Sequence, residues 1–203
     1  VIKLDERLAA AASFVRLDRR ICDVGTDHAL LPCYLCEQGA MDVIASDVNE
    51  NPLEAARANI EKYGFADRIR LIRSDGLAEI PPCDDVIIAG MGGELIARII
   101  GGCTFVTPDT RFILQPMTRA EHLRRFLYSA GFEIAEEKGA FSAGKAYTVI
   151  LAAYTGEKRA ITDDFAYFGK CGDPRYINKV NGQLGKLGRS DPSLLKLIRK
   201  EQT

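Results

Sequence analysis

Chemistry in this 203-residue chain concentrates in Asp23-Val-Gly-Thr-Asp-His28. The stretch follows the short apolar run Arg20-Ile21-Cys22 and precedes an apolar, helix-like segment from Leu30 to Glu37. That is the strand–turn–helix setting of a nucleotide-type ligand site. The dinucleotide fingerprint G-x-G-x-x-G is absent. Only Gly25 remains, and Asp27 stands where a pyrophosphate would need backbone donors and no anion. Such a turn suits a ligand that lacks phosphates and carries positive charge. S-adenosylmethionine, with its sulfonium and amino group, is such a ligand.

In doubly wound sheets, ligands bind beyond the carboxyl ends of the strands, so the other strand ends belong to the same inquiry. Asp47-Val48-Asn49 ends the second apolar run, 24 residues after Asp23. That is near the spacing of an acid that accepts hydrogen bonds from both ribose hydroxyls. Ser74-Asp75-Gly76-Leu77 ends the third. Asp75 suits an adenine amino group, with Gly76 and Leu77 placing backbone and apolar surface beside the ring. Asp23, Gly25 and Thr26 shape the turn under the methionyl part. Ala89-Gly90-Met91-Gly92-Gly93 ends the fourth run. Three glycines in four residues let a planar base approach the backbone closely. Gly90, Met91, Gly92 and Gly93, with Asp27 and His28, are therefore the candidate catalytic residues, and Gly90 also borders the cofactor. Gln115-Pro116 ends the fifth run. No metal site is expected. His122, on a helical pattern, reads as an ordinary surface residue.

The elements that must position these residues alternate. Strand-like runs cover Ile21–Val24, Val43–Ser46, Ile69–Ile72, Val86–Ala89 and Phe112–Leu114. Helical spacing covers residues 4–17. Another helix begins at Asn51-Pro52, an N-cap followed by proline. A third covers Arg119–Ala130 before Gly131. This alternation predicts a parallel, doubly wound sheet. Phe132–Glu136 and Tyr147–Tyr154 then read as two strands joined by the glycine-rich segment 138–144. A parallel crossover needs about a dozen residues or more, so these two strands form an antiparallel hairpin. After Thr155 come an aromatic stretch, Phe165–Gly169, and two short helical patterns at 175–187 and 191–201. They divide the chain into a catalytic domain, 1–155, and a helical appendage, 156–203.

Composition sets limits. Hydrophobic residues make up 47% and charged residues 27%, as in ordinary globular domains. No apolar run is long enough to span a membrane and no signal-peptide pattern opens the chain, so a cytoplasmic location is expected. The six cysteines are scattered and read as buried thiols, including the Cys33-x-x-Cys36 pair on a helix. The net charge of −1 hides an asymmetry. Residues 1–155 hold 17 Lys+Arg against 22 Asp+Glu, and residues 156–203 hold 10 against 6. A basic tail on an acidic body points to an anionic partner.

Taken together, Asp23-Val-Gly-Thr-Asp-His28, Ser74-Asp-Gly-Leu77, Ile88-Ala-Gly-Met-Gly-Gly93 and Leu114-Gln-Pro116 resemble the bacterial tRNA (adenine-N1)-methyltransferases. Those enzymes modify the D-arm adenine at position 22. The resemblance takes in Glu136, Glu137, Lys145, Tyr147 and Phe168-Gly169, and so nearly the whole chain. It implies a Rossmann-like class I methyltransferase sheet with a terminal antiparallel hairpin and a small C-terminal, coiled-coil-like helical domain. It implies S-adenosylmethionine as cofactor, adenine N1 of tRNA as acceptor, and contacts to tRNA from the tail and Gly90–Gly93. No obligate protein partner is expected. The glycine-interrupted tail is short for a full coiled coil. Rival readings are a methyltransferase of the same fold acting on another RNA, a protein or a small molecule, and a domain that binds cofactor or RNA without catalysis.

Overall fold

The computed structural model describes residues 1–199; residues 200–203, the first two of which close the helical pattern expected at 191–201, lie outside the described residues. Seven strands form one sheet in the order β3-β2-β1-β4-β5-β7-β6. They are β1 (Ile21–Val24), β2 (Val43–Asp47), β3 (Ile69–Arg73), β4 (Asp85–Gly92), β5 (Arg111–Thr118), β6 (Phe132–Ser142) and β7 (Lys145–Tyr154). The first five run parallel, and β7 enters antiparallel between β5 and β6. The reversed terminal hairpin is therefore present as expected. Strand order reverses between β1 and β4, which opens a crevice at their carboxyl ends.

The strands are apolar on both faces because helices cover both. Cys22, Val24, Ile44, Val86, Ile88, Phe112 and Leu114 point to one side, with α4 (Gly93–Gly101) and α5 (Ala120–Ser129). Ile21, Val43, Ala45, Ile87 and Ile113 point to the other, with α1 (Glu6–Ala12), α2 (Leu30–Glu37) and α3 (Glu50–Tyr63). The alternation of these two sets along each strand is the period of two that β geometry imposes.

Several boundaries differ from expectation for local reasons. The first helix spans only Glu6–Ala12, because Asp5 caps it by accepting from Leu8 N–H and the chain leaves helical geometry after Ser13. Asn49, not Asn51, holds the N-cap position of α3, so Pro52 falls within the first turn, where no amide partner is required. Segment 138–144 is no loop. β6 and β7 continue to Ser142 and Lys145 and are joined by Ala143-Gly144, both at positive φ (49° and 75°). That is the geometry of a two-residue turn matched to strand twist.

The tail forms α6 (Asp163–Phe168), α7 (Pro174–Leu187) and a 3₁₀ turn, Pro192–Leu197, in place of the helix expected from 191. Asp191 still caps that turn. Gly182 and Gly185 lie inside α7, whereas Gly188 ends it. Phe168, Tyr176, Val180 and Leu184 bury themselves against Ala146 of β7. The tail thus covers the hairpin, a contact that the division at Thr155 did not anticipate.

The tail is pinned by an ion pair with no exposed surface on either side chain. Arg124 of α5 donates to Glu137 of β6 through Nε (2.9 Å) and Nη2 (2.7 Å). Its Nη1 donates to the carbonyls of Ala166 and Tyr167, and Nη2 also to the Tyr176 hydroxyl. Thr148 and the Lys170 amide complete the shell of Glu137. Removing one partner leaves a buried charge alone, at a cost of about 3–5 kcal/mol. Glu137→Gln should therefore lower stability by about that amount, while Arg124→Met with Glu137→Leu should cost less. Denaturant unfolding of the two variants beside the wild type checks the order.

Candidate active site

The crevice at the switch point is a cleft of about 260 Å³ between the ends of β1 and β4. Asp23, Gly25, Thr26, Asp27, His28 and Gly90 line it, together with Arg7 and Leu8 of α1. The turn after β1 is anchored to the next strand. The amides of Gly25 and Thr26 both donate to the Ser46 carbonyl, at 2.8 and 2.9 Å. Gly25 takes a φ of +73°, and a Cβ there would collide with the Met91 side chain.

Asp23 is buried, and Thr26 Oγ1 donates to it at 2.7 Å. Burial pushes its carboxyl up to about 6; the Thr26 bond opposes that rise and the charge of Asp47 adds to it. Asp27 and His28 are exposed, with His28 Nε2 3.5 Å from the Asp27 carboxylate. Asp27 and Ala29 both lie at positive φ (52° and 53°), a region that costs a non-glycine residue about 1–2 kcal/mol. Left-handed backbone on both sides of His28 turns that residue out of the helix start into the cleft, and Asn59 holds its carbonyl.

The parallel register carries Asp47, Val48 and Asn49, then Asp75 and Gly76, to the same edge of the sheet, outside the wall of the cleft itself. Asp47 uses one carboxylate oxygen to accept from the Asn49 amide at 2.9 Å, which leaves the other open. Val48 is 50% exposed. Ser74 folds the next loop by donating to the Gly76 carbonyl and accepting from the Glu79 amide.

Three expected site residues are also held in packing. Leu77 is buried under α4. Gly76, at a φ of +59°, is pressed against Ile99. Gly93 is buried where a Cβ would meet the Arg119 carbonyl. The glycine-rich stretch is also no free loop. Gly90–Gly92 is the bulged end of β4, with register shifts at Met91, and Gly93 starts α4. Gly90 and Met91 remain at the cleft edge, and Gly92 lies 3.3 Å, measured from an added Cβ, from Thr118.

Sequence reasoning missed Arg7, since its helix carried no chemical signal. Gln115 was visible as the polar residue that ends an apolar strand and within Leu114-Gln-Pro116, with no role of its own. Cys33 and Cys36 are buried on α2, and burial pushes their thiols up to about 11 and about 12, which leaves them inert.

Residues 4–150 match the model of a methyltransferase domain. The chain is 36% identical over 166 residues to the tRNA (adenine(22)-N(1))-methyltransferase of Bacillus subtilis, covering 80% of this chain and 69% of that protein. This chain belongs to the tRNA (adenine-22-N1)-methyltransferase family. The crystal structure of the B. subtilis m1A22 tRNA methyltransferase TrmK superposes with a TM-score of 0.75 at 27% identity, covering 98% of this chain and 95% of that one. M. capricolum TrmK, solved with S-adenosyl-homocysteine, gives 0.79 at 25% identity over 96% and 92%. The sheet described above is thus the Rossmann-like sheet of that methyltransferase family.

The buried carboxyl of Asp23 makes a pH prediction. Between the ordinary aspartate range and about 6, the folded protein holds a proton that the unfolded chain has released. Stability from this group therefore falls as pH rises through that window and stays low above it. Relative to wild type, Asp23→Asn should gain roughly 3 kcal/mol between pH 4 and pH 7. Urea unfolding of both proteins across that range measures the difference.

Proposed function

We propose that this chain transfers the methyl group of S-adenosylmethionine to N1 of an adenine in tRNA, at the position 22 named for its relatives. The observation that carries the reading is the switch-point cleft: a buried carboxylate, Asp23, and no phosphate-binding glycine loop, in a chain 36% identical to an enzyme of that activity. When bound, the cofactor supplies an electrophilic methyl on a sulfonium.

The donor set fits that cofactor. Asp23, kept in place by Thr26, accepts from a cationic amino group, and a cation restores the ionised form that burial disfavours. The open oxygen of Asp47 accepts from the ribose, and Val48 offers apolar surface beside the base. Asp75 and the Gly76 backbone take the adenine amino group. Gly90, Met91 and Gly92 form the edge along which the target adenine enters.

Adenine N1 carries a free lone pair at neutral pH, so attack needs no strong base. The protein supplies proximity and in-line geometry instead. Positive charge passes to the base, and the Asp27 carboxylate, which lines the same cleft, is the group assigned here to offset that charge. Pairing hides N1, so the nucleotide has to be unpaired or flipped to reach the cleft. Incubation with methyl-labelled S-adenosylmethionine and unmodified tRNA, then mapping of the labelled nucleoside, tests this. N1-methyladenosine at position 22 is the expected product. Label found only in protein or small molecules would sink the reading.

The tail is the proposed tRNA contact, on a narrower charge set than composition suggests. Arg159, Arg175 and Arg199 pair with carboxylates, and Lys179 donates to the Ala146 carbonyl. Among the described residues of the tail, Lys158, Lys170, Lys186, Arg189 and Lys196 are exposed and have no ion pair, and of these Lys186, Arg189 and Lys196 lie together at the end of α7 and in the turns after it. Replacing these three by Gln should shrink the log–log salt slope of tRNA binding by about 2–3, near 0.9 per lost phosphate contact. Titrations of tRNA at several salt concentrations read it, and an unchanged slope removes the tail from the interface.

A further inference from the structure

Gln115 lies within the buried part of β5 and is 0% exposed, so no substrate reaches it. Its amide oxygen nonetheless accepts two hydrogen bonds that meet at the edge of the cleft. One comes from the Gly90 amide at 3.1 Å, and the other from Arg7 Nη1 at 3.0 Å. Its amide nitrogen donates to the Pro116 carbonyl at 3.1 Å, which fixes which way the side chain faces.

Arg7 is held in turn. Its Nε and Nη2 both donate to one oxygen of Asp5, at 2.9 and 2.7 Å. Asp5 also accepts from Ser142 at the end of β6, and its carboxyl lies below the ordinary aspartate range: the bonds from Leu8, Arg7 and Ser142 outweigh burial, the largest single influence, which raises it. The guanidinium also lies 5.6 Å from the centre of the Tyr147 ring. A connected chain of polar contacts therefore runs from the hairpin, through Asp5, Arg7 and Gln115, to the Gly90 amide.

Gly90 is where this matters. It has a φ of +80° and lies at the register shift that lifts the end of β4 away from regular pairing with β5. At a bulge the ladder is interrupted and the extra residue is left unpaired. Here a side-chain acceptor, the Gln115 amide oxygen, takes the Gly90 N–H.

We propose that Gln115 and Arg7 are positioning residues for methyl transfer, a relay that fixes the Gly90 edge along which the acceptor base lies. The inference rests on the methyltransferase reading above. It predicts a change in rate without a change in binding, because misplacement by about 1 Å costs on the order of a hundredfold in an in-line reaction.

The test compares Gln115→Leu, which keeps the volume and removes the acceptor, with Gln115→Glu, which keeps an acceptor for both donors. Gln115→Leu should lower kcat for tRNA by ~30-fold or more, with KM for tRNA and S-adenosylmethionine affinity within about threefold of wild type. Gln115→Glu should recover at least about ten of that thirtyfold loss. Equal loss in both variants, or a wild-type kcat for Gln115→Leu, overturns the relay. Should Gln115→Leu fail to fold, Arg7→Lys against Arg7→Leu asks the same question from the donor side. Lys restores one donor to Gln115, so it should be faster than Leu at equal KM; matching rates overturn the proposal. A wild-type protein that does not methylate tRNA would instead overturn the reading on which the relay rests.

Discussion

The buried pair Arg124–Glu137 is the contact on which the layout of the C-terminal third depends. Two opposite charges with no exposed surface are tolerable only when every donor and acceptor around them is met, and here they are met by three separate pieces of chain. Glu137 comes from the hairpin, Arg124 from α5, and the carbonyls and hydroxyl that complete the shell come from α6 and α7. Gly169 belongs to the same arrangement, since a Cβ there would strike both Arg124 and Glu137. An apolar contact tolerates sliding, whereas a fork-to-fork ion pair does not. The tail is therefore fixed in one orientation on the sheet.

That orientation has a consequence for the cleft. The hairpin that α7 covers is the one in which Ser142, the last residue of β6, supports Asp5 and so Arg7. At the other end of the sheet a second buried carboxylate, Asp85, gathers Arg16 through its amide and guanidinium and keeps the segment after α1 against the start of β4. Helix α1 is only seven residues long and isolated helices of that length are unstable. It is held in place at both ends by carboxylates, and that is how Arg7 comes to stand in the wall of a site built mainly from β1 and β4.

The strands and the reversed hairpin were legible because they are written in local signals: apolar runs, glycine and proline punctuation, and a connection too short for a parallel crossover. The placement of Asp23, Asp47 and Asp75 at the carboxyl ends of their strands was legible for a related reason, since each ends such a run. What was not legible depends on pairing across the chain. Gly90–Gly93 reads as a loop in sequence, yet β5 extends to Thr118 and draws Met91 and Gly92 into the sheet. Leu77 reads as ligand surface, yet α4 lies over it. No local pattern at Glu137 or Arg124 announces that a hairpin and a helix will bury them together. The tail's basic balance was legible, but its distribution was not, as several of those arginines are taken up by carboxylates nearby.

The site combines a rigid floor with an adjustable edge. The turn carrying Asp23, Gly25 and Thr26 is bonded to Ser46 and lies between buried strands, so this side of the cleft has little freedom. The opposite edge, Gly90 to Gly92, is a strand end whose regular ladder is broken and whose residues carry little side-chain bulk. A flat base needs such a low edge, but low bulk also removes the packing that normally holds a strand end still. Met91 resolves part of this by laying its side chain across Gly25, which joins the two sides of the crevice through an apolar contact. The polar chain through Gln115 resolves the rest from beneath. Glycines give the edge its access, and the buried amide behind them supplies the order they lack.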